Sequence, residues 1–159
     1  MTVTFTNRVM PCSSKFQVSD DGGSTFEEYA GFLTVLDGWM QERITGQENG
    51  MGMDTPVIGL GPKNPITLSI TAFYSPTTGD LYDTVKTQFD AECGGNLIVQ
   101  WGPTGFAPGS LVHTTNVDNS YVSALALPPF TASDAKPLLF QFKIFTTGVD
   151  DTTIPIPPP

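Results

Sequence analysis

Alternation of apolar and polar residues with a period of two dominates the chain. Ile66, Leu68, Ile70 and Ala72 alternate with Thr67, Ser69 and Thr71, so a strand here carries a greasy row on one face and hydroxyls on the other. Leu138, Phe140, Phe142 and Ile144 form a second apolar row, with Gln141 and Lys143 opposite. Phe16 and Val18, set among Lys15 and Gln17, predict a short strand that enters a turn at Asp20-Asp21-Gly22-Gly23, where Asp and Gly tolerate positive φ. The return arm, residues 25–36, is apolar enough to be partly buried, and its alternation slips near Gly31, which predicts a bulge. Residues 96–101 predict another strand, stopped by Gly102-Pro103, and residues 111–115 and 120–126 predict two arms joined through Asn116-Val117-Asp118-Asn119. At the N-terminus Val3 and Phe5 alternate with Thr2, Thr4 and Thr6, the pattern of a half-buried strand and not of a signal peptide.

The period changes in one place. Leu81, Tyr82, Val85 and Phe89 are spaced to share one face of a helix over residues 80–92. Thr78 or Asp80 can cap its first N–H groups, Asp80 and Asp83 suit the positive end of its dipole, and Gly94-Gly95 ends it. Between residues 37 and 64 the pattern disappears, although Trp39, Met40, Ile44, Met51, Met53, Val57, Ile58 and Leu60 make the segment too apolar for an idle linker. Its glycines supply flexibility, and its indole and thioether side chains supply adaptable contact surface. Such a segment is either an arm that packs on something or a long hairpin folded over the domain's own core. Residues 150–159 contain four prolines, hence four missing donors, and read as an extended, polyproline-like tail behind a single domain of residues 1–149.

Composition narrows the class. The 159 residues suit one domain, and charged residues make up only 14%, against about 25% in an ordinary globular chain. Much of the polar surface is therefore Thr, Ser, Asn and Gln, which favours a hydroxyl-decorated β protein over a salt-bridged helical bundle. The expected fold is mainly β (α+β): an antiparallel β-sandwich or barrel with one amphipathic helix and a long loop. The formal charge of −9 argues against a nucleic-acid binder, because duplex affinity depends on cations that displace counterions from phosphate. No apolar stretch approaches the roughly 20 residues that span a bilayer. Cys12 and Cys93 lie far apart without metal-ligand spacing, and nothing directs them to an oxidising compartment. Synthesis in a cytosol is expected.

Candidate chemistry is sparse. His113 is the single histidine, which excludes a histidine metal cluster and a two-histidine acid–base pair, and no Gly-x-Ser-x-Gly elbow accompanies it. Gly59-Leu60-Gly61-Pro62-Lys63-Asn64 lacks the spacing of a phosphate loop, and Pro62 lacks the N–H a cradle would use. Asp20 to Ser24 reads as a turn in preference to a calcium loop, whose further acids are missing. Asp80 and Asp83 suit helix capping better than a glycosidase pair. Trp39 and Trp101 are core candidates or, if exposed, a stacking platform for sugars. No cofactor, metal or catalytic residue is assigned, and no enzymatic activity is expected.

What remains is architectural. A sheet protein must protect its outer strands, usually with lysine, proline or a bulge, and this chain has five lysines in all. Edges so weakly defended are available for pairing between subunits, and a closed ring of identical copies removes them.

The order of motifs resembles the phage tail tube proteins and their relatives, the tube proteins of contractile injection and type VI secretion systems. Lys15-Phe16-Gln17-Val18 running into Asp21-Gly22, then Phe26-Glu27-Glu28-Tyr29-Ala30-Gly31-Phe32, is similar to that family's early strand pair. After a long loop, Ile66-Thr67-Leu68-Ser69-Ile70-Thr71, followed by Asp80-Leu81-Tyr82-Asp83-Thr84-Val85, is similar to its strand leading into a single helix. The resemblance spans residues 15–147 and departs from the family in lacking the usual charged residues after the central strand. It implies a structural subunit of rings, usually hexameric, that stack into a hollow phage tail tube, a conduit for DNA during ejection. The partners it implies are further copies of the chain and other tail proteins, with DNA only in transit and no membrane. Its location would be the virion, after synthesis in the host bacterial cytoplasm. In that frame Trp39, Met40, Ile44, Met51, Met53, Val57 and Ile58 would form an arm between subunits. Leu81, Tyr82, Val85 and Phe89 would pack the helix on the sheet, and Thr67, Ser69 and Thr71 are candidates for the lumen. A capsid decoration or adhesin domain, or the tube of a contractile injection system, would suit the same composition, and a sugar-binding module or enzyme is the remaining class.

Overall fold

A computed structural model describes residues 14–29, 32–48, 51, 57–92, 94–127 and 137–157. In chain order the elements are β1 (Lys15–Ser19), β2 (Glu27–Glu28), β3 (Leu33–Asp37), β4 (Arg43–Glu48), β5 (Val57–Lys63), β6 (Ile66–Phe73), α1 (Leu81–Asp90), β7 (Ile98–Gly102), β8 (Leu111–Thr115), β9 (Ser120–Ala126), β10 (Leu139–Thr146) and β11 (Val149–Thr153). They form a five-stranded sheet in the order β11-β8-β7-β1-β2, a four-stranded sheet in the order β3-β6-β10-β9, and a separate two-stranded β4-β5 sheet. Every strand pairing is antiparallel. The fold is thus mainly antiparallel β with one short helix.

Strict alternation builds the core. Along β6 the apolar residues Ile66, Leu68, Ile70 and Ala72 are buried, and along β10 Phe140, Phe142 and Ile144 are buried while Gln141 and Lys143 face out. The register sets Phe140 opposite the small Ala72, Phe142 opposite Ile70 and Ile144 opposite Leu68. Phe16 and Val18 of β1 and Val99 of β7 join the same cluster from the five-stranded sheet, so both large sheets share one core. Each fully buried side chain of this size contributes about 1.5–3 kcal/mol relative to exposure.

Helix α1 closes the cluster with Leu81 and Val85, both fully buried, while Tyr82 packs edge-on against Phe140 with ring centroids 5.2 Å apart. Phe89, on the same predicted face, is 41% exposed, so the packing face consists of the first two turns. Asp80 is the N-cap but its side chain makes no capping bond; Asp83 instead reaches back and accepts from the Gly79 N–H at 3.0 Å. At the other end the Gly95 N–H donates to the Gln88 carbonyl at 2.9 Å, and Gly94 takes a positive φ. Burial, and its hydrogen bond to Glu27 at 2.7 Å, push the Tyr29 hydroxyl up to about 12.

Three expectations are corrected. The return arm after the Asp21 turn is not one strand: β2 pairs with β1, and β3 joins the other sheet. Likewise β8 and β9 are not hairpin partners, since β8 pairs with β7 and β11 and β9 with β10. The Asn116 side chain turns the chain between sheets by accepting from the N–H groups of Asp118 and Asn119. The third concerns the tail: residues 150–153 are in β11, laddered on β8 with Asp151 opposite His113. Prolines begin only at Pro155, so these residues retain every N–H the ladder needs. The strand expected around Val3 and Phe5, the bulge at Gly31, and Cys12 and Cys93 lie outside the described residues.

Candidate functional site

The segment without a pattern is a hairpin arm, and its root is the most elaborate constellation in the molecule. The chain leaves β3 through Gly38 at a φ of +91°, where an added Cβ would lie 2.3 Å from the Thr67 carbonyl oxygen. Only glycine permits that approach. It delivers Trp39 onto Trp101, ring centroids 4.0 Å apart at 85°, and onto His113 at 5.7 Å. Trp101 and His113 are cross-strand neighbours whose rings lie 5.2 Å apart, and His113 Nδ1 lies 2.6 Å from Asp151 Oδ1.

Strand register explains the grouping. Phe16, Trp101, His113 and Asp151 stand directly opposite one another across β1, β7, β8 and β11, a row that runs from the buried core to an exposed carboxylate. Trp39 covers the middle of that row. The Gln41 amide fastens the arm further, donating to the Asn64 carbonyl at 3.2 Å and the Thr147 carbonyl at 3.1 Å. Beside it lies a cavity of about 200 Å³ lined by Trp39, Gln41, Lys63, Ile66, Val149 and Asp151.

Beyond the root the arm stands clear of the core. Thr45 pairs with Leu60, Gly46 with Gly59 and Gln47 with Ile58, and every residue of β4 is exposed. Met40, Ile44, Met51, Ile58 and Leu60 are large exposed hydrophobics, with Met40 74% exposed. The expected arm set is therefore divided: Trp39 packs one side on Trp101 and remains 38% exposed, Met40, Ile44, Met51 and Ile58 are more fully uncovered, Val57 lies in β5, and Met53 is outside the described residues. The alternative of a hairpin folded over its own core does not describe β4.

A second concavity, of about 450 Å³, opens between the sheets, lined by Ser14, Lys15, Phe16, Leu33, Thr34, Leu36 and Trp101. The hydroxyl residues Thr67, Ser69 and Thr71 share one face of β6, opposite Phe145, Lys143 and Gln141 of β10. Asp37 on the other side of Ser69 makes a row of one acid, one hydroxyl and one cation.

The Asp21 carboxylate is occupied by its own turn, accepting from the Thr25 hydroxyl, the Ser19 hydroxyl and the N–H groups of Thr25 and Ser24, which hold it well below the usual carboxylate range. Among the described residues no three His, Cys, Asp or Glu side chains group as metal ligands, and no helix is long and apolar enough to cross a membrane. The Trp101–His113–Asp151 row was not foreseen, because its members come together only through the register of three strands distant in sequence.

No family model and no curated protein matches the chain. Solved structures do. A chain of the sheath-tube complex of an extracellular contractile injection system, PVC, in its extended state superimposes with a TM-score of 0.71 at 11% identity, over 94% of this chain and 95% of that one. The SPP1 tail tube gives 0.61 at 9% identity over 94% and 81%. The tail of an empty GTA particle of C6 symmetry gives 0.58 at 11% identity over 89% and 96%. The chain has the fold of tail tube proteins.

Proposed function

We propose that the chain is a structural subunit that assembles with copies of itself into rings, hexameric and stacked, forming the hollow tail tube of a bacteriophage through which DNA passes on ejection. The observation that carries this is the arm: a hairpin with bulky apolar side chains on its surface, held by a tryptophan latch to a body whose fold is that of tube proteins. A lone soluble domain gains nothing from such a projection, whereas burial between copies returns about 25 cal/mol for each Å² of apolar surface covered. Six-fold order is supported by the C6 tail among the structural neighbours.

The hydroxyl face of β6 is the candidate lumen wall. Thr67, Ser69 and Thr71 with Gln141, and Asp37 balanced by Lys143, make a surface that neither binds nor strongly repels a passing polyanion, although the chain as a whole carries −9. The role is mechanical, with no chemical step. Other tail proteins are its further partners, and the virion is its place.

A second reading, the tube of a contractile injection system, is favoured by the better superposition on the PVC chain. Electron microscopy of concentrated protein tests both. Stacked rings are expected; protein that stays dispersed at every concentration, with or without tube fragments as seeds, removes the proposal. Co-purification with a sheath from the native particle selects the second reading.

A further inference from the structure

We infer that the concavity between β3 and the β1/β7 pair is the receptor for the arm of a second copy of this chain. The inference rests on the arm being the joint between copies and adds where that joint closes. The walls are apolar, made by Phe16, Leu33, Leu36 and Trp101, and the rim is polar, with Ser14, Lys15 and Thr34. Its volume of about 450 Å³ falls at the low end of the roughly 300–1,000 Å³ of sites that enclose a small ligand, which suits a few aliphatic side chains. Along one side runs β3, the outer strand of its sheet, a place for an added strand to ladder.

The arm fits this description. Ile58 and Leu60 lie two residues apart in β5, and their cross-strand partners Gln47 and Thr45 are uncharged. Both apolar side chains remain exposed, at 67% and 70%, so the chain's own arm does not fill the concavity with them. Electrostatics agree. In a chain of net charge −9 two copies meet most readily through neutral patches. The stretch formed by Ile58, Leu60, Gln47 and Thr45 carries no charge, the cations Arg43 and Lys63 lying beyond it at the root of the hairpin, and Lys15 at the rim is already paired with Glu28 at 2.9 Å. Met40 and Met51 add further exposed apolar side chains, while Ile44, next to Thr45 in β4, lies on the other face of the hairpin. Arm and receptor are different surfaces of the chain, so their contact is head-to-tail, the kind that closes into a ring or propagates into a filament.

A mixing experiment decides it. An arm variant, Ile58→Asp with Leu60→Asp, keeps an intact receptor; receptor variants, Leu36→Asp and, filling the concavity from its exposed rim, Thr34→Trp, keep an intact arm. Each alone should raise the assembly threshold about 30-fold or more. Arm and receptor variants mixed should form a one-to-one dimer and stop, read as mass by light scattering. If Thr34→Trp and Leu36→Asp, folded by circular dichroism, polymerise like the native chain while the arm variant does not, the receptor lies elsewhere and the arm reading survives. If the arm variant itself polymerises, the arm reading falls and this inference falls with it.

Discussion

The indole of Trp39 stands edge-on to that of Trp101, with ring centroids 4.0 Å apart and planes at 85°. One ring belongs to the root of the arm and the other to the middle of the five-stranded sheet, so this contact transmits the position of the sheet to the arm. Edge-to-face pairs add about 0.5–1.5 kcal/mol beyond the area they bury. Trp39→Ala should therefore leave the body folded while the root loosens. Tryptophan emission from Trp101 should shift to longer wavelength, and the arm's amides should exchange faster. An unchanged emission maximum would mean that the latch does not hold in solution.

Gly38 governs the same root through the backbone. Its positive φ and the 2.3 Å approach that a Cβ would make to the Thr67 carbonyl leave an alanine no place without moving β3 or β6. Gly38→Ala should cost about 1–3 kcal/mol in denaturant unfolding. Gly46, in the arm, has nothing within 4 Å of an added Cβ and an ordinary φ, so Gly46→Ala should be close to neutral. Equal effects at the two positions would contradict the described exit from β3.

How much of this could be read from residues alone follows from burial. β6 and β10 were legible because each buries one face and exposes the other, which writes a period of two into the sequence. Helix α1 was legible for the equivalent reason at Leu81 and Val85. The arm was not: β4 reads Arg-Ile-Thr-Gly-Gln-Glu, and a strand whose faces are both exposed has no need to alternate. β11 was hidden likewise, since Val-Asp-Asp-Thr-Thr on a sheet edge has four exposed positions out of five. Which sheet receives β8 or β9 is decided by distant partners and leaves no local mark at Asn116. The apolar character of Trp39 was plain, but its place over Trp101 and His113 depends on registers that no window of sequence contains.

Asp21 links the first turn to pH. Its carboxylate accepts four hydrogen bonds in the folded chain and none of fixed geometry in the unfolded one, so its folded pKa is depressed. A depressed carboxylate contributes stability that is fully present above its ordinary value of about 3.9 and is lost as pH falls below it. The midpoint of thermal unfolding of the native chain should therefore fall as pH is lowered from about 4 toward 2, and Asp21→Asn should be less stable at neutral pH with a shallower drop. Parallel profiles for the two proteins would show that other groups carry the acid sensitivity.

Protection of the arm should depend on the company it keeps. A two-stranded hairpin is marginally stable in water by itself, because each residue it orders is compensated by few buried contacts. Residues 43–48 and 57–63 hydrogen-bond to one another while Ile44, Ile58 and Leu60 stand in solvent, so the ladder of a single copy has little buried surface to hold it closed. In the proposed assembly, burial of Ile44, Ile58 and Leu60 against a second copy would hold it closed. Amide exchange of these two stretches should accordingly be fast in dispersed protein and slow in assemblies, while β6 and β10, already buried, should be protected in both. Slow exchange of the arm in dispersed protein would place its stabilising contacts within one chain and leave the apolar surface without a role in joining copies.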